Sequence, residues 1–260
     1  MLGCQRDGSP TYKYVETQHK KYIGNTRSIM QLPILDPLQP NQNFPAIETA
    51  LTDPDGLLAI GGCLSSQRII HAYQQGIFPW YSSGEPILWW SPNPRLVLFP
   101  KNLKISRSLK KTIRKGNFQV SYDQAFPQVM QHCAAPRKKE YGTWITEEIY
   151  QAYTQLHQQG IAHSCEVWFD NELVGGLYGI SIGQVFFGES MFHKKTDASK
   201  IAFHSLVHQL SEWGYQLIDC QVHTNHLSSF GAEEIDRKQF LSLLQRYCSI
   251  HPSKTAWMSK

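Results

Sequence analysis

Apolar positions recur along this chain with two periods, and the switches between them outline its elements. Over WITEEIYQAYTQLHQQG the apolar residues 149, 153 and 156 share one helical face. Thr146 stands where a cap is needed, Glu147 and Glu148 fall in the first turn, and Gly160 lies beyond the end. SKIAFHSLVHQLSEWG repeats the period, turning Ile201, Phe203, Leu206, Val207 and Leu210 toward a core. Further helices are predicted from Ser65 or Ser66 to Gln75, with Gly76 as the stop, and over ISRSLKKTIRKG, AFPQVMQHCA and KQFLSLLQRY. Strands are predicted at FQVSYD, AHSCEVWFD and YQLIDCQV. Two more fall within ELVGGLYGISIGQVFFGESMF, with turns at DNE and ISIG. From FQVSYD onward the order is β-α-α-β-β-β-α-β-α, a mixed α/β domain. It is not a doubly wound nucleotide fold, since neither GxGxxG nor GxxxxGK[ST] occurs, and the sequence shows no internal repeat.

The earlier part of the chain reads differently. Residues 1–29 are polar and without period, which predicts a flexible basic extension, with Met30 as an alternative start. Residues 30–100 make a small N-terminal mixed domain and a junction, where prolines 79, 86, 92, 94 and 100 frame tryptophans 80, 89 and 90. Residues 101–260 form the larger α/β domain. Composition adds that the chain folds as a globular protein, with 41% hydrophobic and 18% charged residues. No run approaches the ~20 apolar residues of a membrane span, and the polar MLGCQRDGSP does not suit a secretory leader, so the expected compartment is the cytoplasm. Six scattered cysteines read as reduced thiols. Of the net charge of +4, residues 1–30 carry +3, so a polyanion must be met by a local patch.

Four groups of residues can carry chemistry. Three carboxylates stand inside apolar strands: Glu166 in HSCEVWF, Glu189 in VFFGESMF and Asp219 in YQLIDCQV. An unpaired buried carboxylate is costly, so each needs a partner, a raised pKa or a ligand. Asp219 and Gln221 share a strand face, and an adjacent strand can bring Glu189 to them. The plain alternative is strand ends satisfied by caps or arginines, and Glu166 stands open between a structural and a substrate role. His204 and His208, and Cys220 with His223 and His226, have spacings that metals use, yet HSLVH lacks the glutamate of HExxH, so no metal site is expected. KNLKISRSLKKTIRK carries Lys101, Lys104, Arg107, Lys110, Lys111, Arg114 and Lys115 with no acidic residue, and Arg137, Lys138 and Lys139 add a second patch. Either is a solvated face or an attachment site for phosphates. The aromatic stretches FPWY, LWWSP and GTWI are core, or the walls of an apolar pocket near a nucleic-acid base.

In this order, GLLAIGG, AYQQGIFPWY, ILWWSPNPR, GTWI, AHSCEVW, LVGGLYG, FFGESMF, ASK, LIDCQV and HLSSFGAEEIDRKQFLSLL closely resemble the leucyl/phenylalanyl-tRNA–protein transferase family, over nearly everything after Met30. The resemblance implies a GNAT-like acyltransferase domain with a central mixed sheet. It implies transfer of leucine or phenylalanine, less readily methionine, from aminoacyl-tRNA to proteins with N-terminal arginine or lysine, which marks them for degradation in the bacterial N-degron pathway. No cofactor is implied, and the partners are charged tRNA and acceptor protein, with no membrane and a monomeric enzyme. The implied catalytic residues are Asp219, Gln221 and Glu189. Trp80, Trp144, Glu166, Leu177, Phe186, Met191, Ile218 and Thr224 would contact substrates, and Lys104, Arg107, Lys110, Lys111, Arg114 and Lys115 the tRNA. Departures are Cys63, where relatives often carry Asp, Leu177, where some carry Met, and Thr224, where some carry Asn. A related acyltransferase of free amino acids and an inactive tRNA-binding protein are the competing readings.

Overall fold

The computed structural model describes residues 32–135 and 143–258. The extension expected over 1–29, Met30, and the basic residues Arg137, Lys138 and Lys139 lie outside the described residues. Two sheets organise the rest. The smaller contains β1 (Ile34–Leu35), β2 (Leu57–Gly61), β3 (Phe78–Pro79) and β4 (Leu88–Trp90), in the order β1-β2-β4-β3. Between β2 and β3 runs α1 (Ser66–Gln74), where the Ser65 hydroxyl accepts the Arg68 N–H and Gly76, at φ +71°, ends the turn.

The larger unit follows as β5 (Arg95–Leu98), α2 (Arg107–Arg114), β6 (Gln119–Tyr122), α3 (Phe126–Ala134), α4 (Glu147–Gln158), β7 (Ala162–Phe169), β8 (Glu172–Ile182), β9 (Val185–His193), α5 (Ala198–Glu212), β10 (Leu217–Gln221), α6 (Asn225–Ser228), β11 (Glu233–Ile235) and α7 (Arg237–Tyr247). Its seven strands lie in the order β11-β5-β10-β9-β8-β7-β6. Only the β9–β10 pair is parallel, because α5 carries the chain back between them. The predicted helices and strands are present, and Thr146 caps α4 through the Ile149 N–H. The sheet membership of β5, one of the short strands expected around the junction, goes beyond the sequence reading, as do β11 and α6. β5 precedes position 101 yet pairs with β10 and β11. β11 and α6 are too short and polar to leave a period.

The sheet separates two apolar layers. On one face Val97, Tyr178, Ile180, Val185, Phe187 and Leu217 pack with α3, α4 and α7, and with Tyr73 of α1 and Phe78 of β3. On the other, Leu96, Leu177, Phe186 and Ile218 pack beneath Phe203, Leu206 and Leu210 of α5. Each such fully buried Leu or Phe contributes about 1.5–3 kcal/mol. These layers fix where the polar side chains of the sheet must go. Among the described residues, no helix is long and apolar enough to cross a membrane.

Candidate active site

Regular alternation would put Phe187, Glu189 and Met191 on one face of β9. They are not together: Phe187 belongs to the α4 side and Met191 to the α5 side. The cause is a β-bulge. Gly179 pairs with Gly188 and Tyr178 with Ser190, leaving Glu189 as the extra residue. Gly179 is required there, since a Cβ would stand 2.3 Å from the Phe187 carbonyl. Parallel pairing of β9 with β10 ends at Phe187 and Asp219, and both strands continue past it. Glu189 and Gln221 lie in the wedge beyond that point.

Glu189 is only 2% exposed. Its carboxylate accepts from the Tyr73 hydroxyl at 2.7 Å, the Tyr153 hydroxyl at 3.3 Å and Gln221 Nε2 at 3.0 Å, and the two tyrosine oxygens are 2.6 Å apart. Burial pushes the Glu189 pKa up and the nearby Asp219 charge adds to that, while the tyrosine hydrogen bonds oppose it. Burial also raises Tyr73 and Tyr153 well above the usual phenol range, so both remain neutral donors. The described groups that donate to the acid are thus neutral, and it would gain from a cation brought into the wedge.

Asp219 is held more tightly. Arg95 of β5 donates from Nε to Oδ1 at 2.8 Å and from Nη2 to Oδ2 at 2.6 Å, both side chains being buried. The guanidinium lies between the Phe78 and Phe240 rings, 4.8 and 4.7 Å from their centroids, and its Nη1 donates to the Gly76 carbonyl at 3.2 Å. Gln221 joins the two carboxylates: its backbone N–H donates to Asp219 Oδ1 at 2.9 Å while its side chain donates to Glu189. A φ of +64° at Gln221, and a register shift between Asp219 and Gln221 opposite β5, aim it this way.

The remaining expected residues fall into three places. Trp80 and Trp144 pack, partly exposed, against the layer that contains Tyr73 and Tyr153, and Trp80 meets Trp90 edge-on at 5.7 Å. Leu177, Phe186, Met191 and Ile218 form one cluster on the opposite face, under α5, at 2% exposure or less. Glu166 lies on β7, where the Ser121 and Ser164 hydroxyls and the Gln124 N–H donate to its buried carboxylate, and burial raises its pKa against those bonds. Thr224 caps α6 by accepting the Leu227 N–H. Along the basic stripe, Lys104, Arg107, Lys110, Lys111, Arg114 and Lys115 are all exposed, and buried Leu109 anchors α2. No group of three or more His, Cys, Asp or Glu is gathered for a metal ion among the described residues.

Arg95, Tyr73 and Tyr153 are absent from the residues singled out by sequence. Arg95 left a signal, a lone cation opening the apolar run LVL. The tyrosines occupy apolar helical positions and give no sign that their hydroxyls converge.

A family model described as leucyl/phenylalanyl-tRNA protein transferase matches residues 97–245, and one for its N-terminal domain matches residues 62–93. A protein of Nitrosomonas eutropha named leucyl/phenylalanyl-tRNA--protein transferase is 61% identical over 214 residues, covering 82% of this chain and 92% of that one. One of the same name from Methylococcus capsulatus is 52% identical over 226 residues, covering 87% and 96%. Among solved structures, a GCN5-related N-acetyltransferase of Kribbella flavida is similar at a TM-score of 0.33 and 10% identity, over 65% of this chain and 58% of that one, too slight a likeness to fix the fold.

Proposed function

The chain belongs to the leucyl/phenylalanyl-tRNA protein transferase family and is an enzyme, and from that premise we propose that it transfers leucine or phenylalanine, less readily methionine, from aminoacyl-tRNA to proteins whose first residue is arginine or lysine, marking them for degradation. The observation that carries the reading is the wedge between β9 and β10, where Glu189 is ringed by neutral donors and joined through Gln221 to the Asp219–Arg95 pair. A buried anion without a described cation is a receptor for an N-terminal ammonium or a basic side chain. In the reaction the acceptor amine, having released its ammonium proton to solvent, attacks the ester carbonyl in its neutral form, a C–N bond replaces the C–O bond, and one remaining amine proton leaves for the departing 3′-oxygen of the tRNA. The ester is already activated and the amine has a reference pKa near 8, so alignment is the main task.

In this reading Glu189 binds the amine and Gln221 holds it toward the ester. Asp219 positions Gln221, since Arg95 and the Gln221 N–H occupy its oxygens. Leu177, Phe186, Met191 and Ile218 receive the donor side chain at the sheet face under α5, and Trp80 and Trp144 flank the terminal nucleotide. We assign Glu166 and Thr224 to holding β7 and α6 in place around the site. The parallel β9–β10 pair, linked by α5 and diverging at the site, supports placing the larger unit with GNAT-like acyltransferases. The two family matches, meeting between residues 93 and 97, support dividing it there from a small N-terminal domain.

Purified protein supplied with labelled Leu-tRNA or Phe-tRNA is expected to label peptides beginning with Arg or Lys and to leave a peptide beginning with Ala unlabelled. Equal labelling of all three would overturn the acceptor assignment. The exposed α2 stripe is assigned to the tRNA acceptor-stem phosphates. Neutralising Lys110, Lys111 and Arg114 together is expected to raise the KM for charged tRNA and flatten its log–log salt dependence by roughly 2–3 in slope. An unaltered salt dependence would remove α2 from the RNA surface.

A further inference from the structure

Cys63 lies two residues before the N-cap of α1, in the connection from β2. Its sulfur is 3.6 Å from the Ser65 hydroxyl, the same oxygen that caps the helix through the Arg68 N–H at 3.3 Å. Arg68 is fully buried, with its guanidinium 5.3 Å from the Phe44 ring centroid and its Nη2 donating to the Gln39 carbonyl. Its Nε and Nη1 meet no acceptor in hydrogen-bonding geometry among the described residues. The side chain passes beside Gly62, where a Cβ would stand 3.6 Å from Arg68 Cδ, and this brings the guanidinium near enough to Cys63 to stabilise charge on the sulfur. A buried guanidinium with two unmet N–H groups is costly, and the partner that relieves it is an anion. The anion that this chain can generate on the spot is the Cys63 thiolate.

Partial burial works against ionisation of Cys63, but the hydrogen bonds from Ser65 and the neighbouring Arg68 outweigh it and lower the thiol's pKa. The start of α1 acts in the same direction. The other described cysteines differ. Burial pushes Cys165 and Cys220 well above the ordinary thiol range and Cys248 up to about 12, and Cys133 is 5% exposed. Cys63 is also only partly covered. Reactivity toward oxidants follows thiolate character and access together.

We propose that Cys63 is a reactive thiolate and the preferred site at which this chain is oxidised by hydroperoxides, with Arg68 holding first the anionic sulfur and then the oxidised acid. The thiolate attacks one peroxide oxygen. An S–O bond forms as the O–O bond breaks, sulfur is oxidised, and the peroxide is reduced to hydroxide, which takes a proton from solvent. A second equivalent gives a sulfinate, whose oxygens are acceptors for an unmet Arg68 N–H.

The test uses the full chain on a Cys4→Ser background. Alkylation by iodoacetamide over a pH series, with adducts located by peptide mass spectrometry, is expected to modify Cys63 first, its rate titrating below the ordinary thiol pKa near 8.5. Hydrogen peroxide with dimedone is expected to tag Cys63, and Cys63→Ser to lose the tag while keeping the wild-type transfer rate. Cys63→Asp, which supplies a carboxylate in place of the oxidised sulfur, is expected to melt above Cys63→Ser. A Cys63 that titrates at or above the ordinary value, or reacts no faster than Cys248, overturns the proposal. A Tm for Cys63→Asp no higher than that of Cys63→Ser removes Arg68 from it.

Discussion

Replacing Asp219 by alanine is expected to do more than stop transfer: it should destabilise the fold by about 3–5 kcal/mol, the usual result of stranding one partner of a buried ion pair. Arg95 is 1% exposed, its guanidinium lies between two aromatic rings, and both Asp219 oxygens neutralise it. Without them a bare cation remains where water does not reach. For a chain of this size that is a fall in Tm on the order of 10 °C, readable by calorimetry or circular dichroism. The double variant Arg95→Met with Asp219→Leu separates the two effects. It removes both charges at once and is expected to recover most of the stability, because apolar replacement of a whole buried pair is often neutral, while transfer stays lost. A single Asp219→Ala protein that melts with the wild type would show that the pair does not hold this region together.

Glu189→Gln is expected to behave in the opposite way, keeping the fold and losing roughly 10²-fold or more in transfer. Glutamine preserves the shape among Tyr73, Tyr153 and Gln221 but removes the charge proposed to hold the amine. The pH dependence of stability gives a second reading. Burial raises Glu189 above its ordinary value of 4.5, so between that value and the raised one the folded state binds more protons than the unfolded. Stability therefore falls as pH rises through this window and stays lower above it. Glu189→Gln lacks that decline and is expected to be at least as stable as wild type at neutral pH. Denaturant titrations of both proteins across the window measure it. Wild-type transfer rates in the variant would remove Glu189 from the proposed mechanism.

Much of this is legible in the sequence. The period of α4 and α5 reflects faces pressed against apolar layers, and β7 to β10, buried on both faces, stand out as apolar runs bounded by turns. A strand, a helix and a strand in succession place β9 beside β10, so the nearness of Glu189 to Asp219 and Gln221 follows from topology. What escaped depends on single residues. The bulge at Glu189 shifts the alternation by one position, which the period cannot forecast. The Arg95–Asp219 contact spans 124 positions of chain, beyond any local pattern. Glu166, an acid in an apolar strand, signals expense in the sequence. It does not tell whether Ser121 and Ser164 will meet that expense or a substrate will.

Arg95 has a further meaning for how this enzyme comes into being. Its side chain touches the carbonyl after α1, a ring from the smaller sheet and a ring from the last long helix, so one guanidinium fastens segments more than 150 positions apart, from residues 76–78 to Phe240. Neither half presents a finished centre by itself. A nascent chain still lacking its final helix, or two fragments made separately, would be inert until the last piece docked, and activity should be gained and lost in one step with global unfolding.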